Sequence, residues 1–131
     1  MQSDNQSAPV SKRMLWAGFV VSALPVLALF ASGAMKFTKP PSLAEGFANL
    51  GWDESLTLAL GLLEISCAIV YVIPCTAVLG AILLTGYLGG ETSAHVRIHD
   101  QFVAPIILGV LVWGGLWVLD ARLRALLPLR I

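Results

Sequence analysis

Four apolar runs separated by short polar stretches dominate the chain. Met14 to Ala34 carries no charge across 21 residues; as a helix it would be about 30 Å long, the thickness of a bilayer's hydrocarbon core. Pro25 falls in its middle and predicts a kink. Leu56 to Ile73 is a second run of 18 residues, interrupted by Glu64 and ended by Pro74. The third, Thr76 to Gly90, is uncharged for only 15 residues. That is short for a span, so its helix is expected to continue through Glu91-Thr92-Ser93-Ala94-His95. Phe102 to Leu119 is the fourth, with Pro105 in its first turn, where a missing N–H costs little. The pattern predicts helices at about 14–35, 56–73, 76–97 and 102–120. The expected fold class is all-α, a four-transmembrane-helix bundle in which residues 14–131 form one membrane domain behind a polar tail, 1–13.

The connections differ in length. Only Pro74-Cys75 separates the second and third runs, which makes those helices antiparallel neighbours. The first connection, Met35 to Ser55, is longer and has its own pattern. Ser42-x-x-Glu45 reads as a capping box. Leu43, Phe47 and Leu50 then share one helical face, and Gly51 stops the pattern. A short amphipathic helix at the membrane surface is expected there, with Trp52 as an interface anchor.

Composition supports a membrane reading. The chain is 57% hydrophobic and 12% charged, where soluble domains are about 45–50% apolar and about 25% charged. Zero formal net charge and the lack of any nucleic-acid motif exclude DNA or RNA as a partner class. The start resembles a signal peptide, with Lys12 and Arg13 ahead of an apolar stretch. That stretch is longer than a usual h-region, and the rest of the chain is as hydrophobic, so a retained helix is expected. Cys67 and Cys75 form no C-x-x-C and read as small apolar residues. The tails carry Lys12, Arg13, Arg122, Arg124 and Arg130; the opposite side carries Lys36, Lys39 and Arg97. That bias predicts both termini in the cytoplasm.

Chemistry is expected where the runs stop being apolar. Glu64 is a carboxylate inside a span, a costly placement whose default reading is functional. Gly61, Cys67 and Ala68 beside it are small and allow close helix approach. The competing reading is a carboxyl that staples two helices by hydrogen bonding. Tyr87, Glu91, His95 and His99 recur every four residues and would form one polar stripe on the third helix. Beside it runs Gly86-x3-Gly90-x3-Ala94, suited to helix packing. Helix 2 enters from the non-cytoplasmic side, which puts Glu64 about 12 Å below that end. Lys36, Tyr87, Glu64, Glu91, His95 and Arg97 are therefore expected to converge on a pocket in the outer half, with Glu64 and His95 as the candidate acid and base. His95 and His99 are weak metal candidates, far less specific than H-E-x-x-H. Sequence requires no cofactor; a quinone fits such a pocket better than a haem. Trp16 and Trp117 on one side and Trp52 on the other match an aromatic belt.

Several segments together resemble the DoxX-like family of small four-helix membrane proteins: SGAMKF and FANLGW, GLLEISCAIVYVIP, ILLTGYLGGETSAHVR, and GVLVWGGLWVLDARLRALLPLR. The resemblance covers roughly Leu15 to Arg130. It implies a bundle in a bacterial inner membrane and a link to redox complexes, since the family is named for similarity to a subunit of a thiosulfate:quinone oxidoreductase. It implies no settled activity. Carried over by position, the family-like polar residues are Lys36, Glu64 and His95, with Arg97 beside it. Three functions stay open: a redox- or quinone-associated subunit with a membrane partner or a second copy of itself, a small enzyme with acid–base chemistry at Glu64 and His95 on a lipophilic substrate, and a proton-coupled transporter. A scaffold subunit without chemistry is the bland alternative.

Overall fold

The computed structural model describes residues 11–128, and its described residues are helical with no strand. Among the described residues there are six α-helices: α1 (Lys12–Thr38), α2 (Pro41–Asn49), α3 (Leu56–Val72), α4 (Ala77–Arg97), α5 (Val103–Leu119) and α6 (Ala121–Leu126). A 3-10 turn, Pro74–Thr76, joins α3 to α4. Most of the expected polar tail, and Arg130 among the tail cations, lie outside the described residues.

The first helix is longer than its uncharged run. Ser11 caps it, accepting the backbone N–H of Met14 at 3.3 Å, so Lys12 and Arg13 are helical and not tail. It ends at Lys39, whose left-handed φ of 48° lets its N–H reach the Met35 carbonyl. Among the described residues, α1 alone is by itself long and apolar enough to cross a membrane; α3 and α4 pass as a bent pair, and α5, at 17 residues, is short.

Helices α1, α3, α4 and α5 pack in a ring, α1 on α5 and α3, and α4 on α3 and α5. Small residues set the contacts. A Cβ on Gly115 would sit 2.1 Å from Ser22 Oγ, and one on Gly33 would sit 2.5 Å from Ile65, so α1 lies close against both neighbours. Tyr71 ties three helices, its hydroxyl donating to the Val112 carbonyl (2.8 Å) and lying 3.2 Å from Ser22 Oγ. The core comprises Leu29, Cys67, Ala68, Tyr71, Ala81, Leu84, Leu88, Val112, Leu116 and Leu123.

Four expectations need correction. The chain turns through 108° between α3 and α4, so the two are packed neighbours but not a flat antiparallel pair. Near the turn they are in close contact, where a Cβ on Gly80 would lie 2.3 Å from the backbone of Tyr71, and a bend of that size carries the two axes apart from there. The capping box does not form: Pro41, its φ already helical, starts α2 one residue before Ser42, and no side chain caps it. The polar stripe on α4 ends at His95, because the helix stops at Arg97 and His99 takes φ 57°. The sixth helix was not expected; Asp120 caps it by accepting the Arg122 N–H at 2.9 Å, and Leu123 is its buried residue.

Candidate functional site

The site grows from an unusual lysine. Lys36 lies near the end of α1, and a helical side chain points back toward its own N-terminus. Its stem runs over Gly61, where an added Cβ would be 3.0 Å from Lys36 Cβ. Its ammonium therefore reaches inward, to Ser32 Oγ one turn back (2.9 Å) and to Glu64 Oε2 on α3 (2.6 Å). Tyr87 on α4 donates to the same Oε2 at 3.2 Å. Lys36 is 8% exposed and Glu64 2%. A lone charge at that depth is costly, but here each is matched by the other and by a hydroxyl.

Lys36 and Tyr87, with Glu64 behind them, form the back of a cavity of about 430 Å³ that Glu91 and His95 also line. Its origin is the divergence of α3 and α4 from the Tyr71–Gly80 contact, seven residues back from Glu64 and Tyr87 along the two helices. Gly86 and Gly90 keep the α4 wall clear, since a Cβ at either meets nothing within 4 Å. The expected packing stripe is thus a pocket wall. Across the opening lies α2, with Phe47 buried, Leu43 and Leu50 half-buried, and Trp52 edge-on to Phe47 at 6.1 Å. All four residues line the cavity. The apolar face of α2 is directed at protein.

The predicted site residues separate. Lys36, Glu64 and Tyr87 are in direct contact, and Glu91 and His95 face the same cavity. Glu64 stands behind the wall and not on it. Arg97 is elsewhere: it donates to the Leu50 carbonyl at the end of α2, beside Gly51 at φ 74°. It ties α2 to α4 and takes no part in the Glu64 cluster. His99 is exposed and off the stripe. Among the described residues, no group of three His, Cys, Asp or Glu is arranged to hold a metal.

Sequence reasoning passed over one participant, Ser32, which was findable as the residue four before Lys36 on the same helix face. Glu91, half-buried, faces the cavity with no partner among the described residues. Asp100 is the partner of His95, with Oδ2 3.1 Å from Nδ1. The backbone N–H of Gln101, and then His95, hold the Asp100 carboxyl below the usual carboxylate range, so it is ionised at neutral pH and must accept the proton of Nδ1. Neutral His95 then presents Nε2 as an acceptor, and protonated His95 presents it as a donor.

The model of the DoxX-like family matches residues 20–115. The chain belongs to the DoxX-like family. The matched segment runs from α1 to near the end of α5 and includes Lys36, Glu64, Tyr87, Glu91, His95 and Asp100. The residues lining the cavity of this DoxX-like chain thus lie within the matched segment, whereas α6 lies beyond it. No curated protein and no solved structure matches the chain.

Proposed function

We propose that this DoxX-like protein is a four-span integral membrane protein of the bacterial inner membrane whose outer-half cavity binds a quinone-type head group. Its surface supports the embedding. Leu27, Val110, Phe19, Ile82 and Leu62 are exposed, while Lys36, Thr57 and Glu64 are buried, the reverse of what water selects. At 1.5 Å per residue, α1, α3, α4 and α5 measure about 40, 26, 32 and 26 Å, and a bilayer thins or extends slightly to accept the shorter two. The observation that carries the pocket is the buried Lys36–Glu64 pair with Tyr87 behind a mainly apolar cavity. An apolar cavity with few convergent polar groups suits a lipophilic ligand with a hydrogen-bonding head. Nε2 of His95 suits the hydroxyl of a quinol when neutral and the carbonyl of a quinone when protonated, so His95 is placed to carry one of the two protons of a two-electron quinone reduction, the other coming from water. Electrons come from a membrane redox partner.

The oriented His95–Asp100 pair favours a second reading, acid–base chemistry on a lipophilic substrate. Glu91 is its better carboxylate, because Glu64 is engaged by Lys36.

Titration calorimetry of the detergent-purified chain with a short-tailed quinone tests the first reading. Saturable binding at one site is expected. Gly90→Phe, which plugs the wall, should abolish it, and His95→Phe should weaken it about tenfold, the worth of one desolvated hydrogen bond. Absence of saturation, or full affinity in Gly90→Phe, would overturn the proposal.

A further inference from the structure

A second cavity, of about 630 Å³, opens at the other end of the bundle, between the first half of α1, the end of α3 and the α5–α6 turn. Its walls include Leu15, Phe19, Val26, Val72 and Leu116. The hydroxyl of Tyr71 at its depth is already used by Val112 and Ser22, so the interior asks only for apolar atoms.

Its rim is different. Arg122 lines the mouth with its side chain 93% exposed, and among the described residues its acidic partner is Asp120, 3.6 Å from Nε. Asp120 is also occupied with the Arg122 backbone N–H. Lys12 and Arg13 are exposed in the first turn of α1, one turn before Leu15, and neither forms an ion pair among the described residues. Arg124 is committed to the Trp117 and Val118 carbonyls. Trp16, 72% exposed and next to Leu15, marks head-group depth. Among the described residues, Arg122 at the mouth and Lys12, one turn outward of Leu15 on the same helix face, thus stand with one carboxylate, Asp120, beside an apolar cleft at that depth.

We infer that this cleft binds one anionic phospholipid, an acyl chain filling the apolar interior and the phosphate held by Arg122 with Lys12. The inference rests on the membrane embedding proposed above and is independent of the quinone pocket. Charge complementarity selects the occupant: a zwitterionic lipid fills the cleft equally well but gains nothing net from the rim. Each cation near an anionic head group contributes about 1 kcal/mol, or about fivefold in affinity.

Native mass spectrometry of the full chain from mixed phosphatidylglycerol and phosphatidylcholine of identical chains tests it. One retained phosphatidylglycerol per chain is expected, several-fold preferred over phosphatidylcholine, with no competition from glycerol phosphate. Arg122→Gln should lower the preference about fivefold, and Ala23→Trp, which fills the cleft, should remove both lipids. Quinone affinity at the other cavity is expected to stay unchanged in both variants, so the two proposals fail separately. Equal retention of the two lipids, or full preference in Arg122→Gln, would overturn the inference. So would a lipid-free dimer that Ala23→Trp dissociates, which would assign the cleft to a second copy.

Discussion

Lys36 and Glu64 answer two questions that a sequence poses separately. Glu64 is visible at once as a charge inside an apolar run. Lys36 closes such a run; topology places it on the same side as Glu64, but nothing in the run shows its ammonium turned inward to pair with it. Only the backward lean of a helical side chain, and the absence of a Cβ on Gly61, bring its ammonium to Glu64 Oε2 at 2.6 Å. Removing one member of a buried pair leaves the other uncompensated, at a cost of about 3–5 kcal/mol, whereas removing both is far milder. Lys36→Met is therefore expected to lower stability by about that amount, and Lys36→Met with Glu64→Gln to recover most of it. Unfolding by a denaturing detergent, read by circular dichroism, measures both. A Lys36→Met variant as stable as the parent would mean that the two groups are not charged partners. The sequence choice between a functional Glu64 and a stapling one is also recast. The carboxylate fastens α1, α3 and α4 and, in the same contact, presents Lys36 and Tyr87 to the cavity.

At the scale of elements, apolar runs located every major helix, since burial in a bilayer leaves a continuous signal along the chain. What they did not carry was the relation between helices. Gly80 and Gly86 both read as small residues on the third run, yet one is a contact and the other a wall. A Cβ on Gly80 would be 2.3 Å from the Tyr71 backbone, and one on Gly86 would meet nothing within 4 Å. The distinction depends on the 108° turn between α3 and α4, which no periodicity encodes. Gly80→Ala should accordingly force the helices apart and cost about 1–3 kcal/mol. Gly86→Ala should be neutral or stabilising by up to about 1 kcal/mol through helix propensity. Thermal unfolding of the two variants side by side checks this; equal effects would argue against the divergence that creates the cavity. The short elements were hardest to read. Pro41 pre-empted Ser42 at the start of α2, and α6 follows from one capping residue, Asp120, after an apolar run that gave no hint of a bend.

For the whole molecule, the decisive relation is between the two ends of the bundle. A Cβ on Gly18 would touch Leu119 at 2.7 Å, so the start of α1 lies beside the end of α5. At the opposite end, Arg97 ties the close of α4 to the Leu50 carbonyl. An arrangement in which first and last long helices bring their outer ends together requires an even number of crossings if all four cross. Charge then distinguishes the two faces. Lys12, Arg13, Arg122 and Arg124 stand at the chain-end face with Asp120; Glu45, Asp53, Glu54 and Asp100 stand at the other. Of the cations assigned there from sequence, Lys36 is turned inward to Glu64. The usable positive charge is more one-sided than a count of residues suggests, which strengthens the case for a cytoplasmic chain-end face. Single cysteines in a Cys67→Ala, Cys75→Ser background test both parts, using a membrane-impermeant maleimide on intact cells. Glu45→Cys is expected to label from outside, and Lys12→Cys and Leu126→Cys only after permeabilisation. Labelling of Lys12→Cys and Leu126→Cys from different sides would break the even count and with it the four-span bundle. Labelling of both from outside would keep the bundle and invert it, moving the His95 cavity to the cytoplasmic half and the Arg122 cleft to the outer one.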